Sequence, residues 1–212
     1  MEQARPPLRL VVLASGNGSN LQIVIDACSG GSGLGQEFGA IAVAVCSDKP
    51  GSLALERARG AGIPAVAVPS AKGQARADYD MALADTVSVY QPDFILLLGW
   101  MRILSTAFLS RFPGQVVNLH PALPGAFAGT RAIERALEAY RDGTITETGV
   151  MTHFVPDEGV DSGPTILTAK VPILPDDTLA SLEARVHTAE HRLILETIKR
   201  LKYMFCTETQ RR

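Results

Sequence analysis

Reactive residue types concentrate where one short β-branched run ends. Val116–Gly129 reads VVNLHPALPGAFAG, with Asn118 and His120 two positions apart. On a strand, residues at that spacing leave the same face. An amide donor beside a titratable imidazole can polarise a carbonyl and handle protons. Asp161 stands in the acidic, glycine-rich loop Pro156–Pro164 (PDEGVDSGP), just after a strand-like run that carries His153. A carboxylate brought to His120 would raise the imidazole pKa and fix its tautomer. A plain turn aspartate before Gly163-Pro164 would do neither.

A second cluster lies upstream, at Ser15-Gly16-Asn17-Gly18-Ser19-Asn20. Its glycines let backbone N–H groups approach an anion, and a following helix adds a favourable dipole, so a phosphate is the expected guest. The motif is GxGxN, not GxGxxG, and it lacks the lysine of a P-loop. It equally describes a tight turn with a Ser/Asn cap. Near the other end, His187 and His191 stand four apart in HTAEH, with Glu190 between them. That order is not HExxH and no third ligand is near in sequence, so no metal is expected. There is no GxSxG elbow and no cysteine with a His neighbour, which argues against a covalent nucleophile.

The elements that must hold these residues follow from periodicity. Leu8–Ala14, Ile41–Val45, Pro64–Val68, Phe94–Leu98 and Val116–Leu119 read as buried strands. Leu21, Val24, Ile25 and Cys28 recur at helical spacing, and further helices are predicted over Leu53–Arg59, Ala77–Tyr90, Ser105–Phe112 and Ile133–Tyr140. Gly30–Phe38 reads as a surface loop. Thr148–Val155 and Thr165–Ile173 form a later strand pair that breaks the βα rhythm, as an antiparallel pair would. A long helix runs from Thr178 to about Leu201, with a frayed polar tail after it. The expected fold is α/β, a mostly parallel twisted sheet with helices on both faces. Asp48, after the second strand, is placed to hold a ribose in a dinucleotide fold or to cap a turn. The segment after Phe94–Leu98, Gly99–Leu104, lines a flat pocket or simply packs into the next helix.

The 212 residues fit one domain over 1–212, with 1–7 and about 203–212 expected to be flexible. At 46% hydrophobic, the chain can bury a large core, and a net charge of -2 argues against a nucleic-acid partner. Apolar runs are strand-length, so no membrane span is expected, and the first residues do not read as a signal peptide. Three scattered cysteines point to a reduced, cytoplasmic protein without a disulfide framework.

Five stretches together resemble the phosphoribosylglycinamide formyltransferase family: VVLASGNGSNLQ, GWMRILS, NLHPALPG, HFVPDEGVDSGP and RVHTAEH. The resemblance covers Leu8 to Leu201 and is closest to fungal monofunctional members. The loop ALPGAFAG departs from many bacterial members, and Trp100 stands where Phe is common. The resemblance implies a Rossmann-like formyltransferase fold and transfer of a formyl group from 10-formyltetrahydrofolate to the amine of glycinamide ribonucleotide. It implies catalytic roles for Asn118, His120 and Asp161, with His153 as support. Gly16, Asn17, Gly18, Ser19, Asn20, His187 and Glu190 match the ribonucleotide and phosphate positions. Arg76, Met101, Arg102, Ile103, Leu104, Asn118, Val155, Asp157, Gly159 and Asp161 match the folate side, with Arg76 toward the glutamate tail. Residues 8–115 would then serve the phosphate side and 116–202 the catalytic and folate side, in a monomer or homodimer. The alternatives are a 10-formyltetrahydrofolate hydrolase, a methionyl-tRNA formyltransferase and an NAD-type nucleotide-binding module.

Overall fold

The structure, a computed structural model, describes residues 6–28 and 38–209; most of the expected Gly30–Phe38 loop lies outside them. Seven strands form one sheet: β1 (Leu8–Leu13), β2 (Ala40–Ser47), β3 (Ala65–Ala67), β4 (Phe94–Leu97), β5 (Val116–His120), β6 (Glu147–Phe154) and β7 (Thr165–Pro172). Their order is β3-β2-β1-β4-β5-β6-β7. The first five pair in parallel, whereas β6 runs antiparallel to β5, and β7 to β6. The break in the βα rhythm is therefore a hairpin added to the edge of a parallel sheet.

Alternation along β1 divides the core. Leu8, Leu10 and Val12 join one apolar cluster, and Val11 and Leu13 join the other. The first cluster packs α1 (Ser19–Cys28), α2 (Leu53–Gly60), α5 (Ala132–Arg141) and α6 (Leu179–Thr209) on one face. The second packs α3 (Arg76–Ser88) and α4 (Thr106–Leu109) on the other, through Tyr79, Leu83, Val87 and Phe108. Among the described residues, no helix is long and apolar enough to cross a membrane.

Two helices differ from the sequence reading. The expected Ser105–Phe112 helix shrinks to Thr106–Leu109, because the chain must turn toward Pro113-Gly114 and β5. The last helix continues past Leu201 to Thr209, since Phe205 extends the apolar stripe and packs against the first cluster.

Strand order reverses at β1, which has β2 on one side and β4 on the other. In an open α/β sheet, the crevice at the carboxyl ends of such strands is where ligands bind.

Candidate active site

The glycine turn leaves β1 at that crevice. Gly18 has φ +73, and a Cβ there would lie 2.9 Å from Ala54 Cα, so the turn presses directly on α2. Gly16 has open space around it. Arg57 of α2 clamps the turn: Nε donates to the Asn17 carbonyl at 2.9 Å, Nη2 to Asn17 Oδ1 at 3.0 Å and Nη1 to Gln22 Oε1 at 3.0 Å. Gln22 N–H bonds to Gly18 O, so α1 begins with the turn as its cap, and its first N–H groups lack intrahelical acceptors.

Helix α6 reaches the same turn from the far end of the chain. Glu190 is 5% exposed and accepts from Asn20 Nδ2 at 3.1 Å and His187 Nδ1 at 2.7 Å. The Glu190 carboxylate holds the half-exposed His187 above the usual imidazole pKa, despite an opposing push from burial. A buried acid and an imidazole whose protonated form that acid favours thus flank the turn. His187 is committed to Glu190 rather than to a shared site with His191.

The segment after β4 is fastened to the turn and to α3. Ser15 Oγ accepts from Met101 N at 3.1 Å, and Asp80 Oδ2 accepts from Ser105 N at 2.6 Å. The Arg102 guanidinium lies 4.2 Å from the centre of the Tyr79 ring. Between these ties, Met101 and Ile103 remain 65% and 48% exposed. An apolar surface held open in this way suits a flat ligand rather than the core.

Asn118 and His120 lie on the same cleft wall, as alternation along β5 requires. Across the strand pair, Asn118 stands opposite His153. The loop between β6 and β7 has its ends tied by Phe154 N to Pro164 O at 2.9 Å. Gly163 admits no side chain there, because a Cβ would collide with the Phe154 carbonyl. The loop folds back and presents Asp161 with φ 50, a left-handed conformation that aspartate tolerates better than most residues.

The Asp161 carboxylate joins the group. Oδ1 accepts from Asn118 Nδ2 at 2.9 Å and lies 3.4 Å from His153 Nε2. Oδ2 accepts from Gly129 N–H at 2.8 Å and lies 3.3 Å from His120 Nδ1. Burial alone would raise its pKa. The His153 and Gly129 hydrogen bonds and the two imidazoles outweigh that and hold the carboxyl below its ordinary value. His153 donates from Nδ1 to the Phe154 carbonyl at 2.9 Å, and its Nε2 lies 3.2 Å from Asn118 Nδ2.

The expected rise in the His120 pKa is not found. Burial dominates and lowers it, although Asp161 and the Phe127 carbonyl push it upward. His120 is only 4% exposed, and removing an imidazolium from water costs more here than the carboxylate returns.

These elements enclose one cleft of about 640 Å³, a volume usual for small-molecule sites. Its wall includes Gly16, Asn17, Gly18, Ser19, Asn20, Met101, Arg102, Ile103, Leu104, Asn118, His120, His153, Val155, Asp157, Gly159, Asp161, His187 and Glu190. Arg76 does not line it. That arginine pairs with Glu158, which also accepts from Thr106 N at 2.9 Å and so pins the Asp161 loop to α4. Asp48 is also absent from the wall, which leaves a dinucleotide reading without its acid. Sequence reasoning missed Arg57 and Gly129. Arg57 lies on a short helix with no ligand motif in its sequence, and Gly129 acts through its backbone, so neither left a pattern.

The formyl transferase family model matches residues 8–198. The phosphoribosylglycinamide formyltransferase of Schizosaccharomyces pombe is 42% identical over 202 residues, covering 91% of this chain and 96% of that protein. The chain belongs to the phosphoribosylglycinamide formyltransferase family. The enzyme of that name from Escherichia coli is 41% identical over 186 residues, 88% of this formyltransferase and 83% of its relative. A crystal structure of glycinamide ribonucleotide transformylase 1 from Symbiobacterium toebii superposes with a TM-score of 0.82 at 38% identity, over 91% of this chain and 86% of that one. These relatives favour neither the hydrolase nor the NAD-type alternative for the formyltransferase cleft.

Proposed function

We propose that the cleft carries a formyl group from 10-formyltetrahydrofolate to the amine of glycinamide ribonucleotide, with the two substrates entering from opposite ends. The observation that carries this reading is the Asp161 carboxylate. It draws Asn118, His120 and His153 together in the cleft that the glycine turn and the exposed Met101 and Ile103 also line. The ribonucleotide phosphate sits at Gly16–Asn20, on free N–H groups and a helix N-terminus, with His187 adding positive charge. Glu190 faces the polar sugar and amide. The folate ring lies against Met101, Arg102, Ile103 and Leu104, covered by Val155, Asp157 and Gly159.

The amine nitrogen bonds to the formyl carbon, and the formyl oxygen takes the negative charge. Asn118 and His120 are the donors for that oxyanion, a stabilisation worth several kcal/mol in a dry, preorganised site. The excess proton passes from the new amide nitrogen to the folate nitrogen as the bond to folate breaks. Asp161 supports the imidazolium during that transfer. Burial opposes the charging of His120, whereas Asp161 and the developing negative charge on the formyl oxygen favour it. Holding both substrates supplies further rate by proximity.

In this reading residues 1–212 act as one cytoplasmic formyltransferase domain, with small-molecule substrates and no requirement for a metal. Residues 8–115 and 116–202 serve the phosphate side and the catalytic and folate side. Met101–Leu104 and Glu190 cross that division. The test is formyl transfer measured with and without glycinamide ribonucleotide. Turnover should require the ribonucleotide; equal turnover without it would make the protein a hydrolase.

A further inference from the structure

Both ring nitrogens of His120 meet acceptors. Nδ1 faces Asp161 Oδ2 at 3.3 Å, and Nε2–H donates to the Phe127 carbonyl at 3.2 Å. Formyl transfer needs that second donor on the formyl oxygen, so the imidazole must exchange one acceptor for another. The Phe127 carbonyl already has another donor. Arg135 of α5 reaches it through Nη2 at 2.6 Å, and the same nitrogen donates to the Ala128 carbonyl at 2.7 Å. Its guanidinium carbon lies 5.9 Å from the centre of the Phe127 ring. Arg135 is not on the cleft wall.

We propose that Arg135 is a positioning residue that frees His120: by holding the Phe127 carbonyl, it lets the imidazole pass its Nε2–H to the reacting oxygen. The inference rests on the formyl-transfer reading. Without Arg135, the hand-over would strip a part-buried carbonyl of its remaining donor and expose it to the full desolvation penalty. With Arg135 in place, a charge-assisted bond remains. The same tie holds a strained loop, in which Phe127 and Arg131 have φ 47 and 55.

The charges around the imidazole point the same way. Asp161 and the Phe127 carbonyl favour its protonated form, whereas burial, His153 and Arg135 oppose it. Removing Arg135 withdraws a cation and leaves the carbonyl to His120 alone. Both effects tighten the bond that must break and raise the affinity of the ring for its proton.

The test uses the full chain with Arg135→Met, which removes every donor, and Arg135→Lys, whose ammonium lacks the planar fork. Arg135→Met should lose about tenfold in kcat, with KM for both substrates moving less than threefold. The His120 titration midpoint, read by imidazole ¹⁵N NMR, should rise. Arg135→Lys should fall between parent and Arg135→Met in both readouts, and it decides the matter alone if Arg135→Met does not fold. An unmoved midpoint, or kcat within twofold of the parent in the folded Arg135→Met variant, overturns the proposal; so does an Arg135→Lys variant indistinguishable from the parent. If the parent itself transfers no formyl group, the catalytic reading fails. The titration then still decides whether Arg135 governs His120.

Discussion

Replacing Asp161 with asparagine removes one charge and almost no volume. The carboxylate accepts from Asn118 Nδ2 at 2.9 Å and Gly129 N–H at 2.8 Å, one on each oxygen. An amide has a single acceptor oxygen, so either orientation turns its NH₂ toward one of those donors. A buried donor left unmatched costs about 1–3 kcal/mol, and in a chain of this size each kcal/mol lowers Tm by roughly 2–4 °C. The backbone tolerates the change, since asparagine also accepts a left-handed φ. The larger effect falls on the imidazolium. Unit charges separated by the 3.3 Å between His120 Nδ1 and Asp161 attract by at most about 5 kcal/mol at an effective dielectric near 20. One third of that, about 1.7 kcal/mol, already exceeds the roughly 1.4 kcal/mol that separates tenfold in rate. Steady-state formyl transfer by Asp161→Asn should therefore show kcat reduced more than tenfold in a protein that keeps its circular dichroism spectrum. A folded variant with kcat within threefold of the parent would refute the role given to this carboxylate.

Glu190→Ala should raise KM for the ribonucleotide more than KM for the folate, because the Glu190 carboxylate is hydrogen-bonded to Asn20 and His187 at the glycine turn; equal rises would displace it from the ribonucleotide end. Gly18→Ala should weaken ribonucleotide binding and lower Tm, since the methyl group meets Ala54 Cα at 2.9 Å at a positive φ; a calorimetric scan matching the parent would contradict that packing. Acid should act in two windows. His120 has its folded pKa below 6.5, so the folded state takes up protons less readily than the unfolded chain, and stability falls as pH drops below about 6.5. The contribution of Asp161 is present above about 3.8 and is lost below it, as pH falls through the depressed folded pKa. His187 works in the opposite sense: its contribution is full below 6.5 and fades as pH rises through its raised pKa. Urea melts across pH should show both acid declines in the parent, and Asp161→Asn should lessen the lower one, to which Asp177 and Glu158, also held below their ordinary values, contribute as well.

Much of the frame was legible because parallel strands buried on both faces read as unbroken apolar runs. The strands were placed to within a few residues, and alternation alone put Asn118 and His120 on one face. The less legible parts depend on distance in sequence. Asp161 reaches His120 through a hairpin loop folded back over the sheet, and no local pattern distinguishes that from an ordinary turn. Arg76 is matched to the glutamate tail only through the resemblance, and no local pattern tells that the fold brings Glu158 to it. The upward push of a carboxylate on His120 could be read from sequence, whereas the burial that outweighs it could not. The extra length of α6 rests on Phe205, the last large apolar residue before a polar end.

The hydrogen bond between Asn20 and Glu190 spans 170 positions of the chain. During synthesis, strands β1 to β5 and their glycine turn precede α6. Such distant pairings form slowly, because the loop between them must first be closed. A growing polypeptide thus presents the phosphate turn before it has the acid that completes it. The proposed ribonucleotide end of the cleft matures only when α6 docks across α1, which makes it a sensitive reporter of whether the distant parts of the chain have come together.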